Sequence, residues 1–89
     1  MISQTTEKFG KLFAALPLDI QNQAKVAYSQ FKNNPYHPSL QFKRVNSSKP
    51  IYSARINRDY RAVGIFQDND IILFWIGSHT EYEKLLQKL

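Results

Sequence analysis

Two histidines and a dense group of arginines and lysines are the residues of this 89-residue chain that can move protons or hold an anion. His79 follows the apolar run Ile71-Ile72-Leu73-Phe74-Trp75-Ile76 and the pair Gly77-Ser78, with Gly77 allowing the turn that presents it. Thr80-Glu81-Tyr82-Glu83 fits a capping box, so a helix is expected to start at Thr80, with His79 just ahead of it at a strand end. An imidazole there is exposed and exchanges protons near neutrality, which suits acid or base chemistry. The plainer reading of such a position is a surface or capping histidine. His37, between Tyr36 and Pro38 in a proline-broken connection, has less claim to chemistry.

The net charge of +5 is concentrated. Between Leu40 and Arg61 lie Lys43, Arg44, Lys49, Arg55, Arg58 and Arg61 against the single acid Asp59, while the rest of the chain balances. A localised excess of this kind is the footprint of a polyanion partner, whether nucleic acid or acidic protein; a solvated basic face is the alternative. Lys43 beside Arg44 and Arg55 could also serve as a base if desolvated. Cysteine is absent, which excludes disulfides and thiolate chemistry and fits a reducing cytoplasm. Two distant histidines and scattered acids make no metal-ligand set, and no glycine-rich phosphate loop is present, so neither a metal nor another cofactor is expected. The N-terminus lacks the apolar core of a signal peptide, and no apolar run is long enough to span a bilayer.

The elements that must position these groups follow from periodicity. Phe9, Leu12, Phe13 and Leu16 mark an amphipathic helix over 5–16, capped by Thr5 or Thr6 and ended by Pro17. Ile20, Ala24, Ala27, Tyr28 and Phe31 trace one face of a second helix, and the two form a tight hairpin. Strands are expected at 40–45, 51–56, 60–67 and 71–78, joined by turns short enough to force antiparallel neighbours. A last helix places Tyr82, Leu85, Leu86 and Leu89 on one face. Met1 to Gln4 is too short and polar for more than a strand fragment, leaving one sheet edge bare. The expected architecture is a single α+β domain over 1–89, a helix hairpin packed on a four-stranded antiparallel sheet with a short C-terminal helix. If Asn57-Arg58-Asp59 is the whole loop, Arg55 faces Arg61 across the strands, and their repulsion invites an anion between them. Phe42, Tyr52, Tyr60, Phe66, Phe74 and Trp75 read mainly as core, with Tyr52 or Tyr60 able to stack a base from an open face. Gly64 marks a bulge or a close approach.

The ordered segments Pro38-Ser39-Leu40-Gln41-Phe42-Lys43-Arg44-Val45, Ile51-Tyr52-Ser53-Ala54-Arg55-Ile56, Tyr60-Arg61-Ala62-Val63-Gly64 and Trp75-Ile76-Gly77-Ser78-His79-Thr80-Glu81-Tyr82, preceded by the helix hairpin, resemble the RelE/ParE superfamily of toxin–antitoxin toxins. The resemblance implies a microbial-RNase-like fold, a cognate antitoxin protein as partner, and one of two activities. The RelE-like branch cuts messenger RNA on the ribosome in the cytoplasm without metal; the ParE-like branch is directed at DNA gyrase and is not a nuclease, and an inactive antitoxin-binding relative is a further alternative. For the cleaving branch the resemblance implies His79 as general acid or base, Arg61 as phosphate stabiliser, Tyr82 as an orienting or stacking group and Lys43 as a possible base. Arg44, Lys49, Arg55 and Arg58 are then RNA-backbone binders. The first two strands offer only Lys43, Arg44 and Arg55 as ionisable groups, so the sequence shows no carboxylate or second histidine on the sheet to partner His79.

Overall fold

The computed structural model describes residues 2–89. Its elements are β1 (Ser3–Thr5), α1 (Glu7–Ala14), α2 (Leu18–Asn33), a 3-10 turn (Pro38–Leu40), β2 (Lys43–Arg44), β3 (Ile51–Arg55), β4 (Tyr60–Gln67), β5 (Asp70–Ser78) and α3 (His79–Lys88). The α+β class and the helix hairpin are as expected. The sheet, however, has five strands rather than four, in the order β1-β5-β4-β3-β2. The added strand lies parallel to β5, Ser3 opposite Ile71 and Thr5 opposite Leu73, and covers the edge expected to be bare. It carries no apolar alternation because both faces are only lightly covered there, so its pairing rests on backbone hydrogen bonds extended by Thr6 N–H to the Leu73 carbonyl at 3.0 Å.

Local chemistry sets the boundaries. Thr6 caps α1, its hydroxyl accepting from Phe9 N–H at 3.1 Å. The strand expected over 40–45 shrinks to β2, because Pro38 starts a 3-10 turn and Gln41 is left-handed at φ 43°. His37 caps that turn through Nδ1, which accepts from Ser39 N–H, so it is a structural group. Asp68 and Asn69 both have positive φ and make a two-residue hairpin between Gln67 and Asp70, the backbone twist such a loop requires.

The sheet is covered on both sides. Ala27 and Phe31 of α2 pack with Leu40, Ile71 and Leu73 on one side, while Tyr82 of α3 packs with Ile51, Val63 and Trp75 on the other. The unbroken apolar run in β5 serves both layers because of a bulge: Val63 pairs with Trp75 but Gly64 pairs with Leu73, leaving Phe74 unpaired. That extra residue sends Leu73 to the hairpin side and Trp75 to the α3 side. Gly64 permits it, since a Cβ there would lie 2.9 Å from the Ile72 carbonyl oxygen. Gly77 has no positive φ, contrary to the expected turn role; a Cβ there would meet the Trp75 indole at 2.7 Å, so its smallness seats the ring.

Gly64→Ala is expected to lower stability by about 2 kcal/mol or more, because the obstructing atom is backbone and cannot swing away. Gly10→Ala, in α1 with nothing within 4 Å of the new methyl, should raise it by about 0.5–1 kcal/mol. Urea denaturation of both variants checks the pair.

Candidate functional site

Alternation along the ladder assembles a cationic floor on the α3 side of the sheet. Arg55 pairs with Arg61 and Arg61 with Gly77, which makes one cross-strand row; Lys43 pairs with Ser53 and Ser53 with Val63, which makes the next. The facing arginines expected from the three-residue loop are therefore present. Among the described residues, Lys43, Arg44, Arg55 and Arg61 have no carboxylate within ion-pair distance. Two like charges directly opposed cost a few tenths to about 1 kcal/mol, which an anion between them would relieve.

The wall is α3, and it begins earlier than expected. Ser78, not Thr80, is the N-cap: its hydroxyl accepts from Glu81 N–H at 3.3 Å and donates to the Glu81 carboxylate at 3.0 Å. Both Ser78 and Thr80 stand three residues before a glutamate, and the choice is made by the Asp59 carbonyl, which accepts from His79 N–H at 2.7 Å. His79 is thus the first residue of the helix. Its Nε2 lies 3.2 Å from Oε1 of Glu83, one turn on, with the two side chains about half exposed. Glu83 is the partner the sequence reading did not find; the i, i+4 spacing signals it once the helix is started at Ser78.

The turn between β3 and β4 ties floor to wall. Asn57 Oδ1 accepts from Asp59 N–H at 2.8 Å and Tyr60 N–H at 3.0 Å, and its Nδ2 donates to Gln23 of α2 at 2.7 Å. Arg61 Nη1 donates to the carbonyls of Asn57 at 2.7 Å and Tyr60 at 2.9 Å. These bonds hold one tine of the guanidinium, so its position is fixed by backbone and not by a counter-ion.

Floor and wall enclose a cleft of about 350 Å³ lined by Lys43, Arg44, Arg55, Arg61, His79 and Glu83, with Gln41, Val45, Ser53, Tyr82 and Leu86 between them. Four cations face one carboxylate, and that carboxylate is engaged with His79. Of the sequence-based set, His79, Arg61, Lys43, Tyr82, Arg44 and Arg55 come together here. Lys49 and Arg58 do not line the cleft: Lys49 N–H is held by Asn46 in the β2–β3 turn, and Arg58 sits at the tip of the β3–β4 turn. Tyr82 is 5% exposed and packs on Trp75, its hydroxyl donating to the 3%-exposed Ser53 at 3.0 Å, so its ring braces the wall from within the core. Lys43 is exposed, which removes the desolvation that would favour it as a base. Tyr52 faces the hairpin side, stacked on Phe42 at 5.1 Å, and presents no ring to the cleft. Such a site can bind a phosphodiester on its arginines and lysine and move a proton at His79.

A family model described as a ParE-like toxin domain matches residues 18–84. Curated proteins give no match by sequence. Among solved structures, the chain is similar to the RelB–RelE antitoxin–toxin complex from Methanococcus jannaschii, with TM-score 0.74 and 16% identity over 92% of this chain and 96% of that one. It is also similar to YafQ from E. coli strain BL21(DE3), with TM-score 0.72 and 16% identity over 90% and 94%. A YoeB/ParE toxin from Agrobacterium tumefaciens superposes with TM-score 0.67 and 12% identity over 89% and 99%.

Removing one of the facing charges by Arg55→Gln should raise stability by roughly 0.2–1 kcal/mol at low salt, less at high salt. Asn57→Ala strips the acceptor from two N–H groups and should cost about 1–2 kcal/mol, largely restored in Asn57→Asp, which keeps the oxygen. Denaturant midpoints measured at two ionic strengths test both.

Proposed function

The chain belongs to the family of ParE-like toxin domains, and from that premise we propose that it is the toxin of a toxin–antitoxin pair, acting as a metal-free endoribonuclease on messenger RNA at the ribosome. The observation that carries this reading is the meeting, in one cleft, of four carboxylate-free cations with a paired imidazole and carboxylate. A binding surface alone would need only the cations.

The chemistry is a transesterification. The 2′-oxygen attacks phosphorus while losing its proton, the bond from phosphorus to the 5′-oxygen breaks, and that oxygen leaves with a proton, giving a 2′,3′-cyclic phosphate and a 5′-hydroxyl. In this reading Arg61 and Arg55 hold the non-bridging oxygens as negative charge gathers on phosphorus; the carbonyl-anchored Arg61 needs little rearrangement to do so. His79 handles the proton at the leaving oxygen, with Glu83 orienting the ring. Lys43 and Arg44 bind flanking backbone from the floor, and the 2′-hydroxyl proton passes to solvent water in the open cleft. Tyr82 acts by bracing α3. The cognate antitoxin in this scheme is a protein with an acidic segment complementary to the cleft, and the shared site of action is the cytoplasm. No helix among the described residues is long and apolar enough to cross a membrane.

A second reading, a gyrase-directed toxin without nuclease activity, is favoured by the ParE-like description of the matching family model. One experiment separates them. Brief induction of the wild type should create new messenger 5′-ends and arrest growth, and His79→Ala, folded and still antitoxin-bound, should lose both, with cleavage down by about 10²-fold or more. Arrest by His79→Ala at undiminished strength would remove the nuclease reading, and altered supercoiling with intact transcripts would establish the gyrase one.

A further inference from the structure

On the opposite side of the sheet, between α2 and the strands, lies an apolar cavity of about 300 Å³. It exists because alanines face each other across the layer: Ala24 and Ala27 form part of the α2 roof, and the cross-strand partners Ala54 and Ala62 form part of the floor. Phe9, Phe13 and Phe31 help close the sides. An apolar void of half this size already accepts benzene in an engineered protein, and 300 Å³ is at the lower end of natural ligand pockets. An apolar occupant gains dispersion contacts with such walls.

The lining has a sign. Its charged residues are Lys25 and Arg55, both cationic, and no carboxylate lines it. Lys25 is an exposed residue of α2. Arg55 is half-buried at the end of β3, past the last residue that β2 covers, since β2 pairs only with Ser53 and Tyr52. At that free edge Arg55 lines both the cavity and the cationic cleft. An apolar chamber flanked by two cations fits a molecule with an apolar body and one anionic end.

We propose that this cavity is a binding site for a small free amphiphile, a medium-chain carboxylate or a compound of the same chemistry, with its apolar body between the facing alanines and its anionic end on Arg55. The cavity shares Arg55 with the cleft, but its apolar chamber lies on the other side of the sheet, so the proposal stands whether or not the chain cuts RNA.

The test is an amide NMR titration of the full chain with dodecanoate kept below its micelle concentration, and in parallel with dodecanol. Dodecanoate should move the resonances of Ala24, Ala27, Ala54 and Ala62 saturably. Arg55→Gln should weaken dodecanoate about tenfold, the loss of one charge-assisted hydrogen bond, and leave dodecanol unchanged. Ala54→Leu and, from the other layer, Ala24→Leu fill the chamber and should abolish binding of both probes, their own spectra reporting that they are folded. The proposal is overturned if dodecanoate leaves the four alanine resonances unmoved, if either folded leucine variant binds it as tightly as the wild type, or if Arg55→Gln weakens neither probe or both equally.

Discussion

The side-chain oxygen of Asn57 holds together a three-residue turn on which everything at the cleft depends. It folds the backbone back through Asp59 and Tyr60, and the carbonyls so exposed do the positioning: those of Asn57 and Tyr60 take the Arg61 guanidinium, and that of Asp59 takes the first N–H of α3. The opposite end of the same side chain reaches Gln23 on the hairpin. Floor, wall and roof of the molecule meet at one amide. The orientation of the Arg61 guanidinium and the placing of His79 at the head of α3 are therefore set by backbone carbonyls.

A second constraint is the bulge at Phe74. A sheet covered on both faces needs apolar residues on both, and β5 meets the need by shifting its phase once, so that Leu73 and Ile76 serve the hairpin while Trp75 serves α3. Gly64 admits the bulge and Gly77 admits the indole, each through steric room rather than unusual torsion.

Much of this was legible in the chain and some was not, for physical reasons. The hairpin, the antiparallel meander and the Arg55–Arg61 opposition follow from helical spacing and a short loop, which are local signals. The strand β1 escaped because Ser3-Gln4-Thr5 is polar and its partner is distant, and a strand held mostly by backbone bonds leaves no side-chain pattern. The start of α3 was ambiguous because two overlapping capping boxes, Ser78 to Glu81 and Thr80 to Glu83, satisfy the same rule; a tertiary bond from Asp59 decides between them. That choice hid Glu83, whose link to His79 exists only in the longer helix. Lys49 and Arg58 fall outside the cleft lining because charge counted along a sequence says nothing of which side of a turn it lands on.

The parallel pairing of β1 with β5 has a consequence for biosynthesis. The first strand to leave the ribosome must wait for the last strand before it has a partner, so contacts of high sequence separation close the sheet. The arginines and lysine of the cleft are translated well before His79 and Glu83, and the turn carbonyl that seats α3 stands vacant in the interval. A nascent chain thus displays its positive charge first and its imidazole only when nearly every other element is made, which keeps the complete constellation out of existence until synthesis has passed it.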